Sequence, residues 1–149
     1  MTADPTESPL WAEISAGDEL PTFELPLTAS VIVAGAIASR DFMPAHHDHA
    51  FAVANGSPDI FMNILTTNGY VSRYVTDWAG PHAMVNKIAI RLGAQAVPGS
   101  TLRFTGEVVR TEVVGDRGEV DVELRGETDL GDHVTGTVTL TLPIGSPQG

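Results

Sequence analysis

From Met84 to the end, this chain holds no helical pattern, and ahead of that region only one segment has helical spacing. A single amphipathic helix and a run of strands leave few ways to bury a core. Leu102 to Val108 is apolar at even positions and polar at odd ones. The Val108-Val109 pair breaks that alternation, as a bulge does. Gly115-Asp116-Arg117-Gly118 reads as a hairpin turn. Beyond it, Val120, Val122 and Leu124 alternate with Glu119, Asp121, Glu123 and Arg125. Leu130-Gly131-Asp132 turns again, and Val134, Val138, Leu140 and Leu142 alternate with Thr135, Thr137, Thr139 and Thr141. Met84 to Leu92 reads as a further strand, closed by a turn containing Pro98-Gly99.

The helix is predicted to start at Asp59, which follows a proline and suits an N-cap. Ile60, Phe61, Ile64, Leu65, Val71, Tyr74, Val75 and Trp78 recur behind it at helical spacing, and Gly80-Pro81 stops it. That apolar face is broad enough to predict a nearly buried helix. Phe23 to Ala38 is apolar and β-branched and is read as one buried strand. The order is then one strand, one long helix and four antiparallel strands. Only the sheet can bury the helix, so the expected class is α+β, a curved antiparallel sheet wrapped round one central helix: the hotdog arrangement. Residues 1–20 mix Pro, Ser, Asp and Glu and are expected to form an N-terminal arm or loosely packed cap, with 21–149 as the single domain.

Composition removes several function classes. The net charge is −11 with eight Lys and Arg, a surface that repels phosphate backbones and argues against nucleic-acid binding. No apolar run is long enough to span a bilayer, and no signal peptide is evident. The absence of cysteine rules out disulfides, thiolate zinc sites and cysteine nucleophiles, and suits a reducing cytoplasm.

The segment Arg40-Asp41-Phe42-Met43-Pro44-Ala45-His46-His47-Asp48-His49 carries the chemistry. Asp41 and His46 stand five residues apart round a proline, whose turn lets both side chains converge on one point. A carboxylate and an imidazole around one water form an acid/base device. Two other readings stay open on spacing alone. The aspartates and histidines are ordinary loop residues satisfying local amides, or His46, His47, His49 and a carboxylate ligate a metal.

Asp41, Pro44, His46 and Asp48 resemble, in register, the signature of MaoC-like (R)-specific enoyl-CoA hydratases: Asp, any residue, Asn, Pro, an aliphatic residue, His, any residue, Asp. This chain departs from it at Met43, where Asn is usual, at Ala45, where a larger aliphatic residue is usual, and at Arg40, where Gly is usual. The strand, helix and four-strand order is also that family's, so the likeness covers roughly residues 25–143. It implies hydration of a trans-2-enoyl-CoA thioester to a 3-hydroxyacyl-CoA, with Asp41 and His46 activating the water and no cofactor beyond the coenzyme A of the substrate. It also implies that a backbone amide at the start of the central helix holds the thioester carbonyl. The family's His-Gly pair is absent there, and Met62 or Asn63 is the candidate donor.

Residues 60–69 and 73–81 look most like the small catalytic subunits of heteromeric actinobacterial hydratases that act on steroid side-chain enoyl-CoAs. That likeness implies a partner, a larger hotdog-fold subunit. It also fits the shortage of cations, since only Arg40, Arg73, Lys87, Arg91 and Arg103 are on hand for coenzyme A phosphates. Two alternatives are a non-catalytic hotdog partner subunit, and a hotdog thioesterase using a carboxylate on the central helix. For the latter, the first two helical turns offer only Asp59.

Overall fold

The computed structural model describes residues 6–145. Its elements are β1 (Glu19–Pro26), α1 (Ala29–Ala38), a 3-10 turn (Pro44–His46), α2 (His49–Ala54), α3 (Ile64–Ala79), β2 (Met84–Leu92), β3 (Thr101–Val114), β4 (Arg117–Thr128) and β5 (Gly131–Pro143). A further 3-10 turn, Trp11–Glu13, precedes β1. The strands form one antiparallel sheet in the order β1-β3-β4-β5-β2. The expected hotdog fold is what the chain adopts.

The alternation of β3, β4 and β5 delivers one apolar face. Leu102, Phe104, Val108, Val120, Val122, Val138, Leu140 and Leu142 are fully buried on it. Against that face lies α3, which buries Thr67, Val71, Tyr74, Val75 and Ala79, a stripe spaced by three and four residues. The helix comes so close to β3 that a side chain at Gly106 would press on the Tyr74 ring. Each buried Val or Leu in this layer contributes about 1.5–3 kcal/mol relative to exposure. The register slips between Val108 and Arg110, where the alternation broke, and Gly115 takes a positive φ of 64° in the β3–β4 hairpin.

Three expectations are corrected. Phe23 to Ala38 is not one strand: β1 ends at Pro26, and α1 begins after Thr28, whose hydroxyl caps the Val31 amide at 3.1 Å. The run from Val31 to Ala38 has no polar residue to mark a period, so apolar helix and apolar strand read alike. The central helix starts at Ile64, not behind Asp59. Asn63 is the true N-cap, its side chain accepting from Thr66 at 3.1 Å, while Asp59 takes the Ile60 amide and His49 instead. Nor is the helix nearly buried. Ile64 and Leu65 are 50% and 52% exposed.

Residues 6–18 are more closely docked than an arm. Ile14 is buried, the Trp11 ring covers Gly118, and the Gly17 amide donates to Val108 O at 2.7 Å. Residues 1–5, the start of the expected arm, lie outside the described residues. Among the described residues no helix is long and apolar enough to cross a membrane.

Candidate active site

The end of α1 sets the first catalytic candidate. Arg40 donates to Ile37 O at 3.0 Å and Asp41 to Ala36 O at 2.9 Å, the paired bonds of a Schellman stop. The residue that turns the chain in such a stop sits in the left-handed region and is usually glycine. Here it is Arg40, at φ 57°, the one non-glycine with positive φ among the described residues. This turn directs Asp41 away from the helix axis. Pro44 then opens the 3-10 turn, which brings His46 back to Asp41. The nearest atoms, His46 Nε2 and Asp41 Oδ2, are 3.3 Å apart.

Both side chains are held. His46 is buried, and its Nδ1 lies 2.7 Å from the Phe61 carbonyl oxygen. A carbonyl only accepts, so Nδ1 carries the proton, and Nε2 is the nitrogen left to exchange one. Phe61 also packs edge-on against the imidazole, with ring centroids 4.9 Å apart. Asp41 Oδ1 accepts from the Met43 amide at 3.2 Å, and Oδ2 accepts from Asn63 Nδ2 at 3.0 Å. These bonds hold the carboxyl below the usual carboxylate range: the Asn63 bond acts most, then the Met43 amide, and burial opposes them only in part.

Asp41, His46, Asn63 and Ile64 line a cavity of about 360 Å³ together with Gly93 and His133. The N-terminal end of α3 faces into it, so amides without intrahelical partners stand beside Asp41 and His46. The two amides named from the sequence differ. The Met62 amide is already spent on Ala96 O at 2.9 Å, so it is not available to a substrate. Asn63 remains, with Ile64 next to it in the first turn.

The other polar residues of the segment diverge. His47 and His49 are exposed, and His49 Nδ1 turns to Asp59 Oδ1 at 2.8 Å. Asp48 caps α2 through the Phe51 amide at 3.0 Å. The three histidines therefore do not converge, and among the described residues no group of three or more His, Asp or Glu is placed to hold a metal ion.

Sequence reading missed His133, which is buried on β5. Its Nδ1 lies 2.8 Å from Ala94 O and its Nε2 2.8 Å from Thr67 Oγ1. Burial pushes its pKa below the usual histidine value, opposed by the Ala94 bond. No sequence signal marked it: His133 falls on the outward phase of the β5 alternation and is buried beside Val134 where the register slips between Gly126 and Glu127. Of the five cations considered for phosphate binding, Arg73 is tied to Asp77 and Arg103 to Glu24. Among the described residues, Arg40, beside Asp41, and Arg91, on β2, form no salt bridge.

Fold and pair together define a hotdog-fold protein with a carboxylate–imidazole pair at the N-terminal end of its central helix. The chain belongs to the family of the MaoC like domain, whose model matches residues 14–132. It is 48% identical over 126 residues to the 3-oxo-4,17-pregnadiene-20-carboxyl-CoA hydratase beta subunit of Mycobacterium tuberculosis, covering 85% of this chain and 95% of that one. A chain in the crystal structure of the ChsH1-ChsH2 complex from Mycobacterium tuberculosis matches with a TM-score of 0.80 and 46% identity, over 86% of this chain and 98% of that chain. The unliganded R-hydratase PhaJ1 from Pseudomonas aeruginosa matches with a TM-score of 0.81 over 94% of this chain and 89% of that one. At 19% identity the last likeness is one of fold.

Proposed function

We propose that this chain is the catalytic subunit of a hydratase that adds water across the double bond of a trans-2-enoyl-CoA thioester, with Asp41 and His46 as its acid/base pair. The observation that carries this is the 3.3 Å approach of His46 Nε2 to Asp41 Oδ2 at the free amides of a helix N-terminus. A water held between the two would attack C3 while Asp41 takes its proton. Charge then develops on the thioester oxygen, where the Asn63 or Ile64 amide and the positive helix end stabilise it. His46, with a proton on Nε2, delivers that proton to C2. The proton on Asp41 returns to Nε2 over the 3.3 Å gap, and both groups are reset. One water is consumed, and no cofactor enters the cycle.

The relative at 48% identity is named for a steroid carboxyl-CoA substrate and as a beta subunit, which supports a bulky steroid side-chain thioester and a second, larger hotdog-fold subunit here. The charge of −11 supports a partner too, because the phosphates of coenzyme A need cations that this surface lacks. A thioesterase reading has less support: the sole carboxylate on α3 is Asp77, ion-paired with Arg73 near its far end. The test is hydration of a steroid side-chain enoyl-CoA by the chain co-expressed with its partner, against either chain alone. Turnover that requires both chains, and that survives chelation and dialysis, is the expected result. Hydrolysis of the thioester without hydration would overturn the assignment.

A further inference from the structure

Asn63 is 2% exposed and sits between three groups. Its Oδ1 accepts from the Thr66 amide at 3.1 Å, which fixes the amide's orientation and turns both Nδ2 hydrogens toward α1. One goes to Ser39 Oγ at 2.8 Å and the other to Asp41 Oδ2 at 3.0 Å. Ser39 cannot turn round to compete. Its own hydroxyl donates back to Gly35 O at 2.8 Å, so toward Asn63 it only accepts. Every hydrogen-bonding atom of this side chain is therefore engaged, and one buried amide links the cap of α3 to the end of α1.

We propose that Asn63 is a positioning residue for Asp41: it aims the carboxylate into the cavity and fixes it relative to the helix end that receives the thioester oxygen. The inference rests on the assignment of Asp41 as the proton acceptor. The alternative is that Asn63 caps α3 and nothing more. The two differ in what they predict for Asp41. The Asn63 bond is the largest influence keeping that carboxyl ionised. The ionisable groups near Asp41 are His46 from the 3-10 turn, His133 of the same cavity on β5, and its chain neighbour Arg40. Of these, His46 also lowers the Asp41 pKa, in the same direction as Asn63 but less.

The experiment uses Asn63→Ser and Asn63→Asp in the complex with the partner subunit. Both replacements are good N-caps and keep α3 capped. Serine removes the amide donor, and aspartate puts a like charge beside Asp41. The acid limb of kcat/KM against pH reports the free enzyme's essential base. A carboxylate that loses its donor, or gains a charged neighbour, binds its proton more tightly, so the limb moves to higher pH. We expect a shift of about half a unit or more in Asn63→Ser and about one unit or more in Asn63→Asp, with Tm near that of the parent. Limbs that superimpose on the parent's in both folded variants would overturn the inference. Asp41→Asn in the same assay separates the two claims. If it keeps normal turnover, the catalytic assignment itself fails. If it is inactive while the Asn63 limbs do not move, only the positioning role fails.

Discussion

His46 and His133 line the same cavity, both buried, and both anchor Nδ1 on a backbone carbonyl: Phe61 in one case, Ala94 in the other. They differ in what Nε2 meets. In His133 it meets the buried Thr67 hydroxyl, so its hydrogen-bonding capacity is spent on joining β5 to the first turn of α3. In His46 it meets a carboxylate at 3.3 Å across a space that opens on the cavity. The difference teaches that burial and a fixed tautomer do not make a histidine catalytic. What counts is a second nitrogen left within reach of both a charge and a substrate.

The largest expected separation is in turnover. His46→Ala should lower kcat by about two to four orders of magnitude, and His133→Ala, assayed where it is folded, by less than about tenfold. Steady-state kinetics on the two complexes checks this, and equal losses would erase the distinction. Stability should rank them the other way. His133→Ala removes the partner of the Ala94 carbonyl, leaves the Thr67 hydroxyl only its 3.2 Å bond to Asn63 O, and opens a gap in a buried site, at a cost of about 2–4 kcal/mol by denaturant unfolding.

The same residue sets a pH dependence. The folded pKa of His133 lies below that of the unfolded chain, so the unfolded state takes up the proton first. Its contribution to stability is fully present above the unfolded value of about 6.5 and is lost as pH falls toward the folded value. Melting curves from pH 7.5 to about 5 should show a fall in Tm that His133→Gln makes shallower.

Two smaller effects sharpen the contrast between strain kept near the site and an unmet group in the core. Arg40→Gly relieves a left-handed residue and should raise stability by up to about 1 kcal/mol. Tyr74 buries a hydroxyl that has no hydrogen-bond partner among the described residues, and burial pushes its pKa up to about 12. Tyr74→Phe removes that unmet group, so stability should stay level or rise by no more than about 1 kcal/mol. A clear loss in either variant would show that its side chain makes a stabilising contact elsewhere.

The sheet was the most legible part of the chain. Period-two alternation of Val and Leu against Thr and Glu survives in β3, β4 and β5 because one face is buried and the other wet. Even the slip after Val108 was visible. The segment from Val31 to Asn63 was less so. Helix α1 was hidden because its run is apolar on every side. The start of α3 was misplaced because Asp59 and Asn63 are both good caps, and it is tertiary bonds, from Phe61 to Ala45 O and from Met62 to Ala96 O, that keep the chain extended between them. Asp41 and His46 could be paired from the turn at Pro44. Asn63 and His133 could not, because their bonds to Asp41 and Thr67 join residues 22 and 66 positions apart.

The central claim is that Asp41 and His46 act as one unit, and a double-mutant cycle on kcat tests it most directly. Asp41→Ala, His46→Ala and the double variant are assayed in the assembled complex with a trans-2-enoyl-CoA substrate. Groups that share one water and pass one proton between them lose their effect together, so the double variant should be little slower than the slower single one. Losses that multiply in the double variant, or near-normal turnover in either single one, would contradict the account.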